Sequence, residues 1–512
     1  MLAGQNVFNS VVAGNSSRGI GSHAREYGEV FNNQLHFTTL GYDELEERNL
    51  AIREKRLAGM SQEEFFNEFS KVLSEEKGVK AVTLCFTDME GRLQLLDYDK
   101  KYLLSSHDNL TFDGSSIRGF TPQDKSDLRL WVDWSSLRWL PADIFGPGKV
   151  LVFANACDQD GNFYGADFRS KLSDLSEELS AEGVTVNLAP EVEGFLFNGA
   201  NAEQNFMEAT GFDLVTLSSY FNCLPQDTLR LFIDKLAEVQ RALGFMNEKD
   251  HPEVAPSQFE VNYRYSIALD AADQIQLYKL CARQIAKFMG FTASFLPKPI
   301  AGMNGSGMHC NLSLSKNGVN LFFDPAGKEK LSGDAWKFIS GVLHHANDLC
   351  LVMNSSVNAY RRLDPRYEAP NEIKVSSKDR GSMIRIPIGN EKSARVEVRT
   401  VAPDVNPYLC TYAILKAGLK GIKANEMESA KYMEVVNSTD VKKLPGEISG
   451  AIEHFEKSEF MKDIMGQENH AKYVELKREA ADRSPKLLGA RVKTGEVIYH
   501  HEVTNQMIWK SF

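Results

Sequence analysis

The chain has 512 residues and a net charge of −11 at neutral pH, with 43% hydrophobic and 25% charged residues. That balance builds ordinary packed cores, two or three domains at roughly 150 residues each, and excludes fibrous, collagenous and largely disordered chains. The acidic excess argues against a nucleic-acid partner, which needs basic surface, and no apolar run approaches the roughly 20 residues of a membrane span.

Residues 1–40 are turn-rich and lack periodicity. They lack a charged segment followed by an apolar run, so they read as a Gly/Ser/Asn-rich arm rather than a secretory signal. From Tyr42 to Arg56 the run is densely charged with few apolar residues and predicts a solvated helix or a docking segment. Ser61 and Glu64 make a capping box for a helix that stops by Gly78. Alternation around Met89-Glu90-Gly91 predicts a hairpin, and the strand KVLVFANACD follows before the turn Gln159-Asp160-Gly161. Residues 79–165 thus read as a small sheet-rich domain. Beyond Asp167 the elements lengthen, with helical periodicity over 270–290, 334–354 and 446–465 and strand alternation over 258–265, 382–389 and 395–401. The pattern is mixed α+β, without internal repeats. Seven scattered cysteines, with no C-x-x-C pair, give neither a disulfide framework nor a zinc site and point to a reducing compartment, the cytoplasm.

Carboxylates recur on strand faces. In APEVEGFLF, Glu191 and Glu193 are two apart and so point the same way. Glu253 precedes a proline-bounded turn, Glu260 sits on the strand after it, and Glu397 shares a face with Arg395 and Arg399. Any one of these alone is more often a solvated sheet face. Together they repel unless cations compensate, and hard oxygen ligands suit Mg²⁺ or Mn²⁺ rather than zinc. His309 offers an imidazole behind the glycine-rich loop of Gly302, Gly305 and Gly307. Arg361, Arg362, Arg366, Arg380, Arg385, Arg395 and Arg399 crowd the same part of the sequence. Guanidinium forks suit phosphate and carboxylate, although surface ion pairs are the plainer reading. From residue types alone the sequence supports metal-dependent phosphate chemistry and no finer statement.

Seven collinear motifs closely resemble type I glutamine synthetase: FDGSSIRGF (112–120), PEVEGFLF (190–197), HPEVAPSQFEVNYRY (251–265), NGSGMH (304–309), NAYRRLDPRYEAP (358–370), RGSMIRIP (380–387) and RVEVRTVAPDVNPYL (395–409). The resemblance spans roughly residues 65–470. It implies an N-terminal extension over 1–62, a β-grasp-like domain over 63–165, and a catalytic domain with a curved antiparallel sheet over 166–512. It further implies ATP as co-substrate and two or more Mg²⁺ or Mn²⁺ ions per site. Glu193, Glu253 and Glu260 would hold one ion, and Glu191, His309 and Glu397 the other. Glu248, Asn311, Ser313, Arg380, Arg385 and Arg395 would line the nucleotide, with Tyr265 beside the adenine; Asn304, Gly305, Arg362 and Arg399 would hold L-glutamate. Asp113 of a neighbouring subunit, Tyr220 and Glu368 would bind ammonium, with Asp113, Glu368 and Arg380 catalytic. Such enzymes assemble as stacked hexameric rings with sites at subunit interfaces.

The sequence also departs from the family pattern. Gly194 stands where an aromatic usually follows the E-x-E pair, Ser257 replaces a turn glycine, Met303 stands where an acid is frequent, and Asn311 replaces a second histidine. These changes bear on substrate preference more than on reaction class. Three readings therefore stand: a glutamine synthetase, a γ-glutamyl ligase for a larger amine such as methylamine, ethanolamine or a polyamine, and a non-catalytic family scaffold.

Overall fold

Local capping chemistry sets the first elements of the computed structural model, which describes residues 40–206, 211–222, 227–363 and 369–482. Most of the 1–40 arm lies outside the described residues. Ser61 accepts from the Glu64 N–H while the Glu64 carboxylate takes the Ser61 N–H, and this box starts the helix Gln62–Glu75. The charged run before it forms the helix Tyr42–Leu57, whose Leu45, Asn49 and Ile52 are buried. It docks rather than standing in solvent. Asn49 donates to the Trp139 and Ala242 carbonyls at 2.9 and 2.7 Å and accepts from the Trp139 N–H at 2.8 Å, so one amide ties three segments together.

The N-terminal sheet contains β1 (Ala81–Thr87), β2 (Leu93–Asp99), β3 (Leu110–Asp113), β4 (Asp127–Trp139) and β5 (Lys149–Cys157), in the order β2-β1-β5-β4-β3. Its β1–β5 pair is parallel and its other pairs antiparallel, and the expected Met-Glu-Gly turn joins β1 to β2. This is the β-grasp arrangement.

A ten-stranded curled sheet follows: β6 (Val184–Asn198), β7 (Asn247–Pro252), β8 (Gln258–Tyr263), β9 (Ser266–Ile267), β10 (Phe291–Ser294), β11 (Met308–Lys316), β12 (Val319–Asn320), β13 (Glu372–Ser376), β14 (Ser382–Arg385) and β15 (Val396–Val398). Its main path runs β13-β14-β15-β11-β6-β8-β7, antiparallel except for the parallel β13–β14 pair. The long helix predicted over 270–290 is Ala268–Phe288. The periodic run 334–354 resolves into two helices, Gly333–His344 and Ala346–Met353, because His345 leaves helical geometry at φ −91° and ψ 15°. Likewise 446–465 breaks at Ser458, whose hydroxyl caps the helix Glu459–Met465.

A buried ion network ties the N-terminal sheet to helices of the larger half. Arg169 reaches Asp133 on β4 and Asp273 on the helix Ala268–Phe288, both at 2.7 Å, and the Tyr408 hydroxyl donates to Asp273 at 2.7 Å. Removing Arg169 would strip the buried Asp133 and Asp273 of their closest cation, which makes such a network a register pin rather than a large stabiliser.

Candidate active site

Strand register assembles the site. β11 lies beside β6 with His309 opposite Glu191. Beyond β11, β15 sets Glu397 opposite Asn311, and β14 sets Arg385 opposite Glu397. On the other flank of β6, β8 sets Glu260 opposite Glu193, and β7 sets His251 opposite Glu260. Directly opposed side chains share a face, so a row of acids and imidazoles crosses the sheet.

Two clusters emerge from that row. In the first, His309 Nδ1 is 3.5 Å from Glu191 Oε2 and 3.6 Å from Glu397 Oε1. Arg385 and Arg399 each meet one oxygen of Glu397, at 2.8 and 2.5 Å. Asn311 donates to Glu191 at 3.0 Å and accepts from Arg395 at 2.9 Å. Burial pushes the Glu191 carboxyl up, but hydrogen bonding and charge from His309, with the Asn311 bond, outweigh it and bring it down to about 2.

In the second cluster, His251 Nδ1 is 3.6 Å from Glu253 Oε1, and Nε2 is 3.7 Å from Glu260 Oε1. Glu193 lies between the clusters. Its Oε2 accepts from the Gly307 N–H at 2.8 Å and from Gln258 Nε2 at 3.3 Å, while Oε1 is 3.9 Å from His309 Nε2. Burial and then the charge of Glu193 push Glu253 up to about 8 and Glu260 well above the usual carboxylate range.

These residues fit divalent cations. Within each triad, Glu191–His309–Glu397 and His251–Glu253–Glu260, one ligand atom per residue lies within 4.8 Å of the others. Two carboxylates in each triad suit Mg²⁺ or Mn²⁺. His251 Nε2 is buried and has no hydrogen-bond partner, as an uncommitted ligand atom would be.

Arginines flank the row. The buried Arg362 donates to the Thr400 and Arg399 carbonyls at 3.0 and 2.9 Å, and burial lowers its guanidinium to about 10. The loop before β11 needs glycine to pass it. A β-carbon at Gly305 would meet the Pro297 carbonyl at 2.4 Å, and one at Gly307 would meet Arg362 Nη2 at 2.5 Å. Asn304 is half-buried in that loop, and Ser313 on β11 accepts from Asn187 at 3.4 Å.

Other expected site residues stand farther out. Tyr220 stacks on Phe221 at 3.9 Å, and both rings meet His251 edge-on. Burial and the charges of Glu253 and Glu260 raise the Tyr220 phenol, while the Arg380 charge opposes them. Arg380 and Glu248 are exposed, as is Tyr265, with the Arg264 guanidinium 5.4 Å above its ring. Asp113 ends β3 and faces its own loop, accepting from the Ser115 N–H at 2.9 Å and from the Ser115 and Ser116 hydroxyls at 2.6 and 2.5 Å. These bonds hold its carboxyl below the usual range. Glu368 lies outside the described residues.

The sequence reading passed over His251, Gln258 and Phe221. His251 and Gln258 stood inside a quoted motif, and the signal for His251 was its place two residues before Glu253. Phe221 had none, since its left-handed backbone, φ 58°, is visible only in the structure.

Comparison with known proteins identifies the assembly. Residues 165–487 match the glutamine synthetase catalytic domain and residues 78–158 the glutamine synthetase beta-Grasp domain. The chain belongs to the glutamine synthetase family. It is 35% identical over 413 residues to a glutamine synthetase of Methanosarcina mazei, covering 78% of this chain and 90% of the relative. With that of Thermotoga maritima it shares 35% over 421 residues, 80% of this chain and 94% of the relative. In fold it is similar to a Plasmodium falciparum glutamine synthetase, with TM-score 0.73 and 22% identity over 83% of this chain and 97% of that one. It is also similar to GmaS bound to ADP, with TM-score 0.68 and 26% identity over 80% and 95%.

Three of the four departures from the glutamine synthetase pattern have physical causes here, and nothing in the structure explains Met303. A β-carbon at Gly194 would lie 2.7 Å from the Phe259 ring and 2.9 Å from the Ser294 carbonyl, so no aromatic fits. Ser257 keeps the left-handed conformation of a turn glycine, φ 63°, while its hydroxyl binds Thr216. Asn311 fills the gap between Glu191 and Arg395 with one acceptor and one donor. No helix among the described residues is long and apolar enough to cross a membrane.

Proposed function

We propose that the chain is a glutamine synthetase of type I, joining ammonia to the γ-carboxylate of L-glutamate through γ-glutamyl phosphate with ATP as phosphoryl donor. The observation that carries this reading is the pair of His/Glu clusters on one sheet face, bordered by Arg362, Arg385, Arg395 and Arg399. Oxide is an impossible leaving group from a carboxylate, so the γ-carboxylate must first be phosphorylated.

Glu191, His309 and Glu397 would hold one divalent ion, and Glu193, Glu253 and Glu260 the other. Bound there, the ions would neutralise charge on the transferring phosphoryl group. Arg380, Arg385 and Arg395 align phosphate oxygens, Glu248, Asn311, Ser313 and Tyr265 seat the nucleotide, and Asn304, Gly305, Arg362 and Arg399 orient glutamate. The nucleophile is free NH₃, whereas NH₄⁺ prevails at neutral pH. Asp113 of a neighbouring subunit, held anionic by its serine hydroxyls, binds the cation with Tyr220 and Glu368 and takes its proton. Glu368 also shields the acyl phosphate from water. This assignment requires the subunits to pack as rings with sites between neighbours, so a separated monomer would be inactive.

A larger amine is the second reading, favoured by the exposed Tyr220–Phe221 ring pair at the site, because aromatic faces attract alkylated ammonium ions. The scaffold reading is disfavoured by the intact metal-ligand set. Phosphate release from ATP and glutamate with Mg²⁺, comparing ammonium, methylamine, ethanolamine and putrescine with product mass, tests all three. Turnover strongest with ammonium and yielding glutamine supports the first reading. Turnover only with a larger amine moves it to the second, and none with any amine in assembled, metal-loaded protein leaves the scaffold.

A further inference from the structure

The second cluster holds a residue that the function above leaves unused. His251 is buried, 6% exposed, on the edge strand β7, and it faces Glu260 across the ladder. Its Nδ1 lies 3.2 Å from the Pro252 carbonyl oxygen. A carbonyl only accepts, so the proton belongs on Nδ1 and the lone pair on Nε2. That Nε2 has no hydrogen-bond partner and lies 3.7 Å from Glu260 Oε1.

This is the arrangement of a metal-binding imidazole. Such a ring donates its other N–H to a carbonyl or carboxylate, which fixes the tautomer and aims the free nitrogen. Without an ion, a buried acceptor nitrogen directed at a carboxylate gains nothing and loses its water. Each acid nearby keeps one oxygen on a protein donor, Glu193 Oε2 on the Gly307 N–H and Gln258, Glu253 Oε2 on the Val254 N–H at 3.0 Å, and Glu260 Oε1 on Asn262 Nδ2 at 2.7 Å, whereas His251 Nε2 has none. The rings of Tyr220 and Phe221 close the outer side of the imidazole at 5.6 and 5.1 Å and restrain its rotation.

We propose that His251 is a direct ligand, through Nε2, of the divalent cation held by Glu253 and Glu260. The inference rests on the reading of this row as a cation site and adds a ligand to it. Both ions then have one imidazole and two or more carboxylates. An imidazole favours Mn²⁺ over Mg²⁺, whose chemistry prefers oxygen, so the second site becomes selective as well as the first.

The test uses Mn²⁺ as the probe on the assembled, metal-free protein, read by electron spin-echo modulation from histidine nitrogen and by titration of bound Mn²⁺. Two Mn²⁺ ions per subunit should bind, and ¹⁵N-histidine labelling should alter nitrogen coupling at both. In His251→Gln one coupling disappears, one Mn²⁺ binds about tenfold or more weakly, and the Mn²⁺-over-Mg²⁺ preference at that site falls. His309→Gln supplies the control that does not depend on the folding of the first variant: it should retain the coupling from His251. Two bound ions with no nitrogen coupling left in His309→Gln, or an unchanged spectrum in His251→Gln, overturns the inference and leaves the cation row intact. Failure of Mn²⁺ to bind the wild-type assembly overturns both.

Discussion

The two halves of the site use the same residue types and solve opposite electrostatic problems. Around Glu397 the chain supplies its own cations, with Arg385 and Arg399 on separate carboxylate oxygens and the Glu191 carboxyl drawn down to about 2. Around Glu253 and Glu260 the strongest neighbouring charge is another glutamate, and Glu253 is pushed up to about 8. Position in the sheet explains the contrast. The first half sits on interior strands β6, β11 and β15 with arginines on β14 and just beyond β15, whereas the second hangs on β8 and the edge strand β7. One half carries compensating cations of its own, and the other sets its acids against one another.

Replacing one acid in each half should sharpen this contrast most strongly. Glu397→Gln leaves two guanidinium groups facing a neutral amide in a pocket where the native side chain is 1% exposed. Breaking a buried pair on one side costs about 3–5 kcal/mol, so the metal-free variant should unfold at markedly lower denaturant. Glu260→Gln removes a like charge instead, so the metal-free variant should unfold at denaturant concentrations no lower than the native protein. If both variants lose stability equally, the asymmetry between the halves is wrong.

The same contrast predicts a pH effect in the metal-free protein. Glu253 and Glu260 are raised in the folded state, so folding takes up protons that the unfolded chain has released above the ordinary glutamate range. Stability from these groups is therefore full below that range and declines as pH rises toward the folded value, about 8 for Glu253. Added Mg²⁺ neutralises the acids directly. Its stabilising shift in melting temperature should be larger at pH 8 than at pH 6, and an equal shift at both would contradict the charge imbalance.

How much of this was legible beforehand follows from the same geometry. The E-x-E spacing already set Glu191 and Glu193 on one face, and R-x-E-x-R set Arg395, Glu397 and Arg399 together, because strand alternation is local. The pairing of Glu191 with His309 and of Glu260 with His251 is long-range register; the motif resemblance supplied the first and missed the second. Helical periodicity over 334–354 hid the break at His345, whose ring bonds Asp348 at 2.8 Å, since periodicity reports which face is buried and not whether the backbone stays helical. The reason for Gly194 is also long-range, because the Phe259 ring from β8 fills the space a side chain would take.

Between the halves, Gly307 offers a smaller perturbation. A methyl group there would press on Arg362 Nη2 and lie 3.0 Å from His309 Nε2. Arg362 is anchored by two carbonyls and has little room to retreat. Gly307→Ala should raise the KM for glutamate about tenfold, roughly 1.4 kcal/mol, with a smaller change in the KM for ATP. Equal changes in both would mean that the loop distorts as a whole and that Arg362 has no special part.

The smallest effect is expected at Ser257, in the turn that carries Glu253 toward β8. Its φ of 63° is unfavourable for a side chain, by about 1 kcal/mol, so glycine would relieve strain there. The hydroxyl works in the other direction, accepting from the Thr216 N–H at 3.1 Å and donating to its carbonyl at 3.0 Å. Two such bonds contribute about 2 kcal/mol between them. Ser257→Gly should therefore fall within about 1 kcal/mol of the native stability, whereas Ser257→Ala keeps the strain, loses both bonds and should fall about 2 kcal/mol below it. Thr216 lies in the segment that brings Tyr220 and Phe221 against His251, so both variants should raise the KM for the amine more than that for ATP. An alanine variant as stable as the native protein would show that the hydroxyl does not hold this segment, and that the second half owes its geometry to the ring contacts alone.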